Sequence, residues 1–257
     1  MAPTMNAIRK VASYRELSKK MGKLPQEKQY DYLAFINIMA DWLKQGNHNR
    51  IKWALQYCAN KQYGAYTQLY RLCPINEPGF LRECLQYFSM EQIKLFENVR
   101  NVAYLEYLIR DFKSDLETQP KFLERILETL ATCENIPGIK LFAKSFETGI
   151  NLSRVINNTL EFMLPARFNP NIMALLFSLE SKYGKIDKTH GDELVCLTVK
   201  LSNIDATRFL TDRFGLVDNR ILYDSWIASK RWRFNMLKFL ARLQPVTKNC
   251  FNFNELT

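Results

Sequence analysis

The chain has 257 residues, 47% of them apolar, with only nine Gly and nine Pro and a formal charge of +10. That is enough to bury a large core in one or two domains, and it excludes a disordered or low-complexity chain. No apolar stretch reaches the roughly 18 uninterrupted residues of a membrane helix and no signal-peptide core opens the chain, so a cytoplasmic protein without membrane insertion is expected.

The positive charge is unevenly placed: residues 1–60 carry +6, residues 61–219 carry −1 and residues 220–257 carry +5. A groove that follows a nucleic-acid backbone along its length would repeat its cations through the body, whereas here they gather at the ends. Six cysteines are scattered without a C-x-x-C pair, and the only histidines are His48 and His190. Zinc needs tighter clustering, so no metal is expected and the cysteines read as buried free thiols.

Residues 5–21 read as one amphipathic basic helix, with Ile8, Val11, Ala12, Leu17 and Met21 on one side, ended by Gly22 and Pro25. Such a helix suits the polar cap of a repeat stack, an organelle-targeting segment, or contact with a membrane surface or nucleic acid. A second helix is expected over 26–45 and a third over 46–60, with His48 as a solvated loop histidine. A short helix follows over 62–72. The segment 74–79, PINEPG, is the clearest break in the chain. Beyond it, FLRECLQYF (80–88) and MEQIKLFENV (90–99) read as helices, the latter as an out-of-phase repeat because residues 93–96 resemble residues 139–142. The organisation expected is an N-terminal cap with an irregular repeat (1–78), a repeat array (79–243) and a tail (244–257).

The array is marked by four asparagines, Asn101, Asn135, Asn169 and Asn203, equally spaced at a 34-residue period. Each opens a similar run. The seventh place holds Tyr107, Leu141, Leu175 and Phe209; the eighth holds Leu108, Phe142, Leu176 and Leu210; the twelfth holds Phe112, Phe146, Glu180 and Phe214, one break in four. After each Asn-led helix and a turn, another helix is expected, over 121–131, 152–164, 192–201 and 220–229, where Ile126, Leu160, Leu194 and Ala228 keep the same interval. A fixed period in both helices predicts an all-α solenoid of stacked hairpins, because one hairpin cannot bury its own apolar faces. The asparagines are expected to cap the second helix, their short amide accepting from the free N–H groups of its first turn. Asn169-Pro170 fits, since Pro is tolerated at the first helical position. Carboxylates fall on solvent-type helix positions, and no nucleotide-binding, nucleophile-elbow or zinc-protease motif occurs, so no catalytic residue, cofactor or enzyme activity is expected.

Residues 203–219, NIDATRFLTDRFGLVDN, resemble the second helix and loop of an ankyrin repeat: a leading Asn, apolar pairs, a Gly after the helix, then an apolar residue and an acid or amide. Gly149-Ile150-Asn151 and Gly184-Lys185-Ile186-Asp187 echo the loop, and residues 46–60 are similar. The resemblance spans 46–243 with interruptions. The ankyrin T-P-L-H signature is absent, and the last unit, measured from Phe209 to Phe239, is shorter than the period. The style is similar to the divergent ankyrin-like multigene families of large DNA viruses, African swine fever virus among them. This resemblance implies a non-enzymatic protein that engages host factors. Tetratricopeptide repeats share the period without their Trp/Leu-Gly/Tyr pattern appearing here. Pentatricopeptide repeats read RNA through fixed polar columns, which the first helices do not keep.

Residues 229–243, SKRWRFNMLKFLARL, combine a packing stripe with Lys230, Arg231, Trp232, Arg233, Lys238 and Arg242. They form a terminal capping helix or a candidate binding patch, since interleaved Arg and aromatic residues neutralise phosphate and stack on bases. The functional expectation is a protein–protein interaction scaffold whose partner is another protein. The alternative is an RNA-binding or nucleocapsid-type helical protein that uses its basic ends.

Overall fold

A computed structural model describes residues 5–25, 31–73, 78–147, 149–164, 167–215, 217–218, 221–222, 225–226 and 234–243. Every regular element among them is helical, and no strand occurs among the described residues. The chain divides into two compact units, Met1–Thr118 and Gln119–Thr257.

The first unit holds α1 (Met5–Ile8), α2 (Tyr14–Met21), α3 (Tyr32–Lys44), α4 (His48–Lys61), a 3-10 helix (Gly64–Leu72), α5 (Pro78–Leu85), a second 3-10 helix (Leu95–Arg100) and α6 (Val102–Glu117). The single helix expected over 5–21 is broken. Trp42 Nε1 and Arg50 Nη1 donate to the carbonyl of Arg9 at 3.1 and 3.2 Å, and Arg50 Nε donates to that of Val11 at 2.9 Å. Those carbonyls are therefore taken by residues far along the chain, on α3 and α4. Ser13 then starts α2 afresh, its side chain accepting from Glu16 N–H. Ile8, Val11, Leu17 and Met21 are buried as expected, while Ala12 is exposed. Helix α3 is capped by Asp31, which accepts from Ala34 N–H; α4 packs on both α2 and α3, and Phe35, Met39, Trp42 and Leu55 are buried. His48 is exposed in the first turn of α4.

The segment 90–99 is no α-helix. Ser89 and Gln92 form a reciprocal capping box, and the turn closes at once because Lys94 takes a left-handed conformation (φ 55°). Leu95 N–H reaches the carbonyl of Met90 and Lys94 N–H that of Glu91, a Schellman closure that ends helical winding after one turn. The apolar residues still bury: Met90, Ile93, Leu95 and Val99 are all fully enclosed.

The second unit holds α7 (Pro120–Thr132), α8 (Ile136–Ser145), α9 (Leu152–Met163), α10 (Pro170–Ser178), α11 (Glu180–Tyr183), α12 (Lys188–Lys200), α13 (Ile204–Phe214) and α14 (Phe234–Leu243). Helix α7 packs on α8 and α9, α9 on α10 and α12, and α12 on α13. The eighth-place residues Leu108, Phe142, Leu176 and Leu210 are each 0% exposed, the first in α6 and the rest in this unit. Three of the four seventh-place residues, Leu141, Leu175 and Phe209, are half-buried. The break in the twelfth column has a local reason. Glu180 accepts from Ile186 N–H at 3.3 Å and pairs with Arg213 at 2.6 Å, so a carboxylate bridges successive segments where an aromatic ring stands elsewhere. Of the expected helix over 220–229, residues 221–222 and 225–226 are helical, with Leu222 and Trp226 buried; Ala228 and the tail 244–257 lie outside the described residues.

Candidate functional site

The four periodic asparagines occupy equivalent places. Each is an N-cap whose Oδ1 accepts from the first turn: Asn101 from Ala103 N–H, Asn135 from Gly138 N–H, and Asn203 from Ala206 N–H, all at 3.0 Å. Asn169 accepts from Asn171 and Ile172 N–H at 3.0 and 3.4 Å. At two of them the cap also closes the preceding helix. Glu134 and Ser202 are left-handed (φ 55° each), which brings Asn135 N–H onto Leu130 O at 2.8 Å and Asn203 N–H onto Thr198 O at 3.0 Å. A non-glycine residue at positive φ is uncommon, so both tight turns are built in the same costly way.

The loops that follow α8, α11 and α13 carry a different device. Gly149, Gly184 and Gly215 all have positive φ (84°, 106° and 87°), a turn that a β-carbon would strain. In the first two loops this turn is followed by a buried Ile (Ile150, Ile186) and then a capping residue. Asn151 accepts from Arg154 N–H, and Asp187 from His190 N–H. The turns and the helix starts after them border an open groove of about 400 Å³ lined by Glu124, Gly149, Asn151, Ser153, Tyr183 and Lys185. A second depression of about 270 Å³ shares Asn151 and Ser153 and adds Arg154, Asn157, His190 and Glu193. The two adjoin at the start of α9.

Two carboxylates in this region overturn the expectation that the acids sit on solvated positions. Glu124 and Glu128 in α7 are 4% and 7% exposed. Glu124 accepts from Asn151 N–H at 3.1 Å and pairs with Arg154; Glu128 accepts from Asn158 Nδ2 at 2.6 Å and pairs with Arg125 at 2.9 Å. Buried carboxylates are tolerated when paired and hydrogen-bonded, and here the partners at and along α9 supply much of this. Tyr183 donates to Phe146 O at 2.7 Å, and burial pushes its phenol up to about 12. Lys182 donates to Ala143 O, so α11 is tied to the end of α8. On the groove's rim the backbone N–H and ring Nδ1 of His190 hold the Asp187 carboxyl below its usual range. That same ring contact, at 2.9 Å, raises the His190 imidazole. Ser153 shares the groove with His190 without a hydrogen bond to it.

Of the expected basic patch, Lys238 and Arg242 are exposed on α14, whose Met236 and Leu240 are buried. Lys230, Arg231, Trp232 and Arg233 lie outside the described residues. The Arg208 guanidinium stands 5.5 Å over the Phe239 ring and connects α13 to α14. Cys58, Cys73, Cys84 and Cys196 are buried thiols, Cys58 pushed up to about 12 by burial, while Cys133 is exposed. Among the described residues no three His, Cys, Asp or Glu side chains come together in a metal-holding group, and no helix is long and apolar enough to cross a membrane. Comparison with protein-family models, curated proteins and solved structures gave no match.

Proposed function

We propose that the chain is a non-enzymatic protein–protein interaction scaffold, a solenoid of stacked helical hairpins with a 34-residue period. The observation that carries this is the packing order of the second unit: α7, α9 and α12 lie one against the next, each followed by an Asn-capped helix. Stacked repeats of this kind present a continuous face rather than a closed pocket, and they use it for binding. Here that face runs along α9. Ser153 and Arg154 border the polar depressions at its start, together with Lys185 and His190, and Phe162 on its last turn is 70% exposed. An exposed large aromatic side chain such as Phe162 is the kind of anchor on which a partner's buried contacts concentrate binding energy. On the ankyrin-type resemblance, the partner is a host factor met in the cytoplasm.

Affinity capture with the full-length chain, quantified by mass spectrometry, tests this against two variants, Phe162→Ala and the pair Ser153→Arg with Lys185→Glu. A protein recovered in stoichiometric amount by the wild type and lost from both variants is expected. The same set of proteins recovered by all three chains would contradict the assignment of this face.

A further inference from the structure

The first unit carries a charge imbalance that its own contacts leave in place. Residues 5–25 and 31–73 hold eleven Lys or Arg against three carboxylates. All three carboxylates are engaged. Glu16 pairs with Lys20 at 2.6 Å, Asp41 pairs with Arg9, and Asp31 caps α3 through Ala34 N–H at 2.9 Å. Among the cations without a carboxylate are Arg15, Lys19 and Lys23, all exposed. They stand at i, i+4 and i+8, and Lys23 continues the winding through its N–H bond to Lys20 O at 3.2 Å. Helical geometry therefore sets them in one stripe about 12 Å long on the outer side of α2. Leu17 and Met21, at 0% and 1% exposure, face the core. Lys61, at the end of α4, lines a small groove with Met21 and Gly22 and adds a cation beside the same helix end.

The surroundings of this stripe decide what it fits. Among the described residues the exposed large apolar side chains are Leu33, Ile136, Phe162 and Ile221, none of them on α2. The stripe thus lacks the aromatic or aliphatic anchor that dominates a protein interface. It also lacks the apolar face with which an interfacial helix enters a bilayer, because that side of α2 is already buried. What remains is bare positive charge repeated at a helical step of about 6 Å. A flexible chain of phosphates supplies charge at repeated steps and needs no apolar anchor. We propose that α2 and its C-terminal turn hold single-stranded nucleic acid by its phosphate backbone, without base recognition. The stripe belongs to the first unit and the groove along α9 to the second, so either assignment can fail alone.

The test is a fluorescence-anisotropy titration of nuclease-treated full-length protein with labelled oligouridine at salt from ~50 to ~200 mM, the range over which phosphate contacts are lost. Binding is expected, with log K falling against log salt at a slope of about −2, or roughly 0.7 for each of three contacts. The neutral variant R15Q/K19Q/K23Q should lose that slope and on the order of 100-fold in affinity at ~0.1 M salt, with unchanged circular dichroism. The charge-conserving R15K/K19R/K23R should bind like the wild type. Absence of binding at ~50 mM salt, or an unchanged slope in the neutral variant, overturns the proposal. So does loss of binding from K230Q/R231Q/R233Q in its place. Tighter binding to phosphatidylserine vesicles than to the oligonucleotide would also overturn it, in favour of a membrane surface.

Discussion

Replacing Arg154 with Met removes one partner of a buried carboxylate while keeping most of the side chain's packing. Deleting one side of a fully buried ion pair costs about 3–5 kcal/mol. Here the Glu124 side chain is 5% exposed but the Arg154 side chain is 44% exposed, and Glu124 keeps its bond from Asn151 N–H. Solvent at the guanidinium end reduces the loss to roughly 1–2 kcal/mol. Unfolding entropy of about 2.1 cal/mol/K per residue gives about 0.5 kcal/mol/K for a chain of this length, so the melting temperature should fall by roughly 2–4 °C. Urea unfolding followed by circular dichroism measures the loss, and a cycle with Glu124→Gln isolates the pair. The glutamine still accepts from Asn151, so a coupling of roughly 1 kcal/mol should remain between the two positions. An Arg154→Met variant as stable as the wild type, or two substitutions whose costs simply add, would refute the claim that this pair joins α7 to α9.

Asn203→Ala should cost about 1 kcal/mol in the same assay, and Asn203→Asp should be close to neutral, because an aspartate still accepts from Ala206 N–H. Leu176→Ala at a fully buried column should lose about 2–5 kcal/mol. Leu175→Ala, one place earlier and half-buried, should lose clearly less. Asp187→Asn should lower the His190 titration midpoint seen by NMR. Linkage sets the pH window of the Asp187–His190 pair. Its stabilisation is lost as pH rises through the raised midpoint of His190, and again as pH falls through the lowered midpoint of Asp187. Stability measured against pH in wild type and Asp187→Asn should therefore differ most between those two limits.

The helices of the second unit are legible in the sequence because their determinants are local. A short amide followed by an apolar residue at the eighth place is enough to start a capped helix and to choose its buried side. Asn135, Asn169 and Asn203 do this at equally spaced helix starts. What the pattern does not carry is competition from distant residues. The helix expected over 5–21 fails because Trp42 and Arg50 claim its carbonyls. The apolar rhythm of 90–99 is compatible with an α-helix, yet Lys94 in the left-handed region ends it. The groove is hidden for the same reason. Its floor is a glutamate whose neutralising partners, Asn151 and Arg154, come only after the whole of α8, and its rim comes from two separate loops. One signal was available: the paired apolar residues Phe122-Leu123, Ile126-Leu127 and Leu130-Ala131 make a wide stripe with Glu124 and Glu128 on its border, which leaves those two few solvated places.

The most direct test of stacking is to lengthen the stack by one period. A second copy of residues 169–202, one full period, can be inserted between Ser202 and Asn203. The new junction then repeats the Ser-Asn step that already links α12 to α13. Interchangeable stacked hairpins predict a soluble chain with the wild-type helical signal per residue, and a urea m-value larger by roughly one-eighth, as the added buried surface requires. An insoluble product, or a soluble one whose helical signal per residue falls and whose m-value does not rise, would contradict the solenoid.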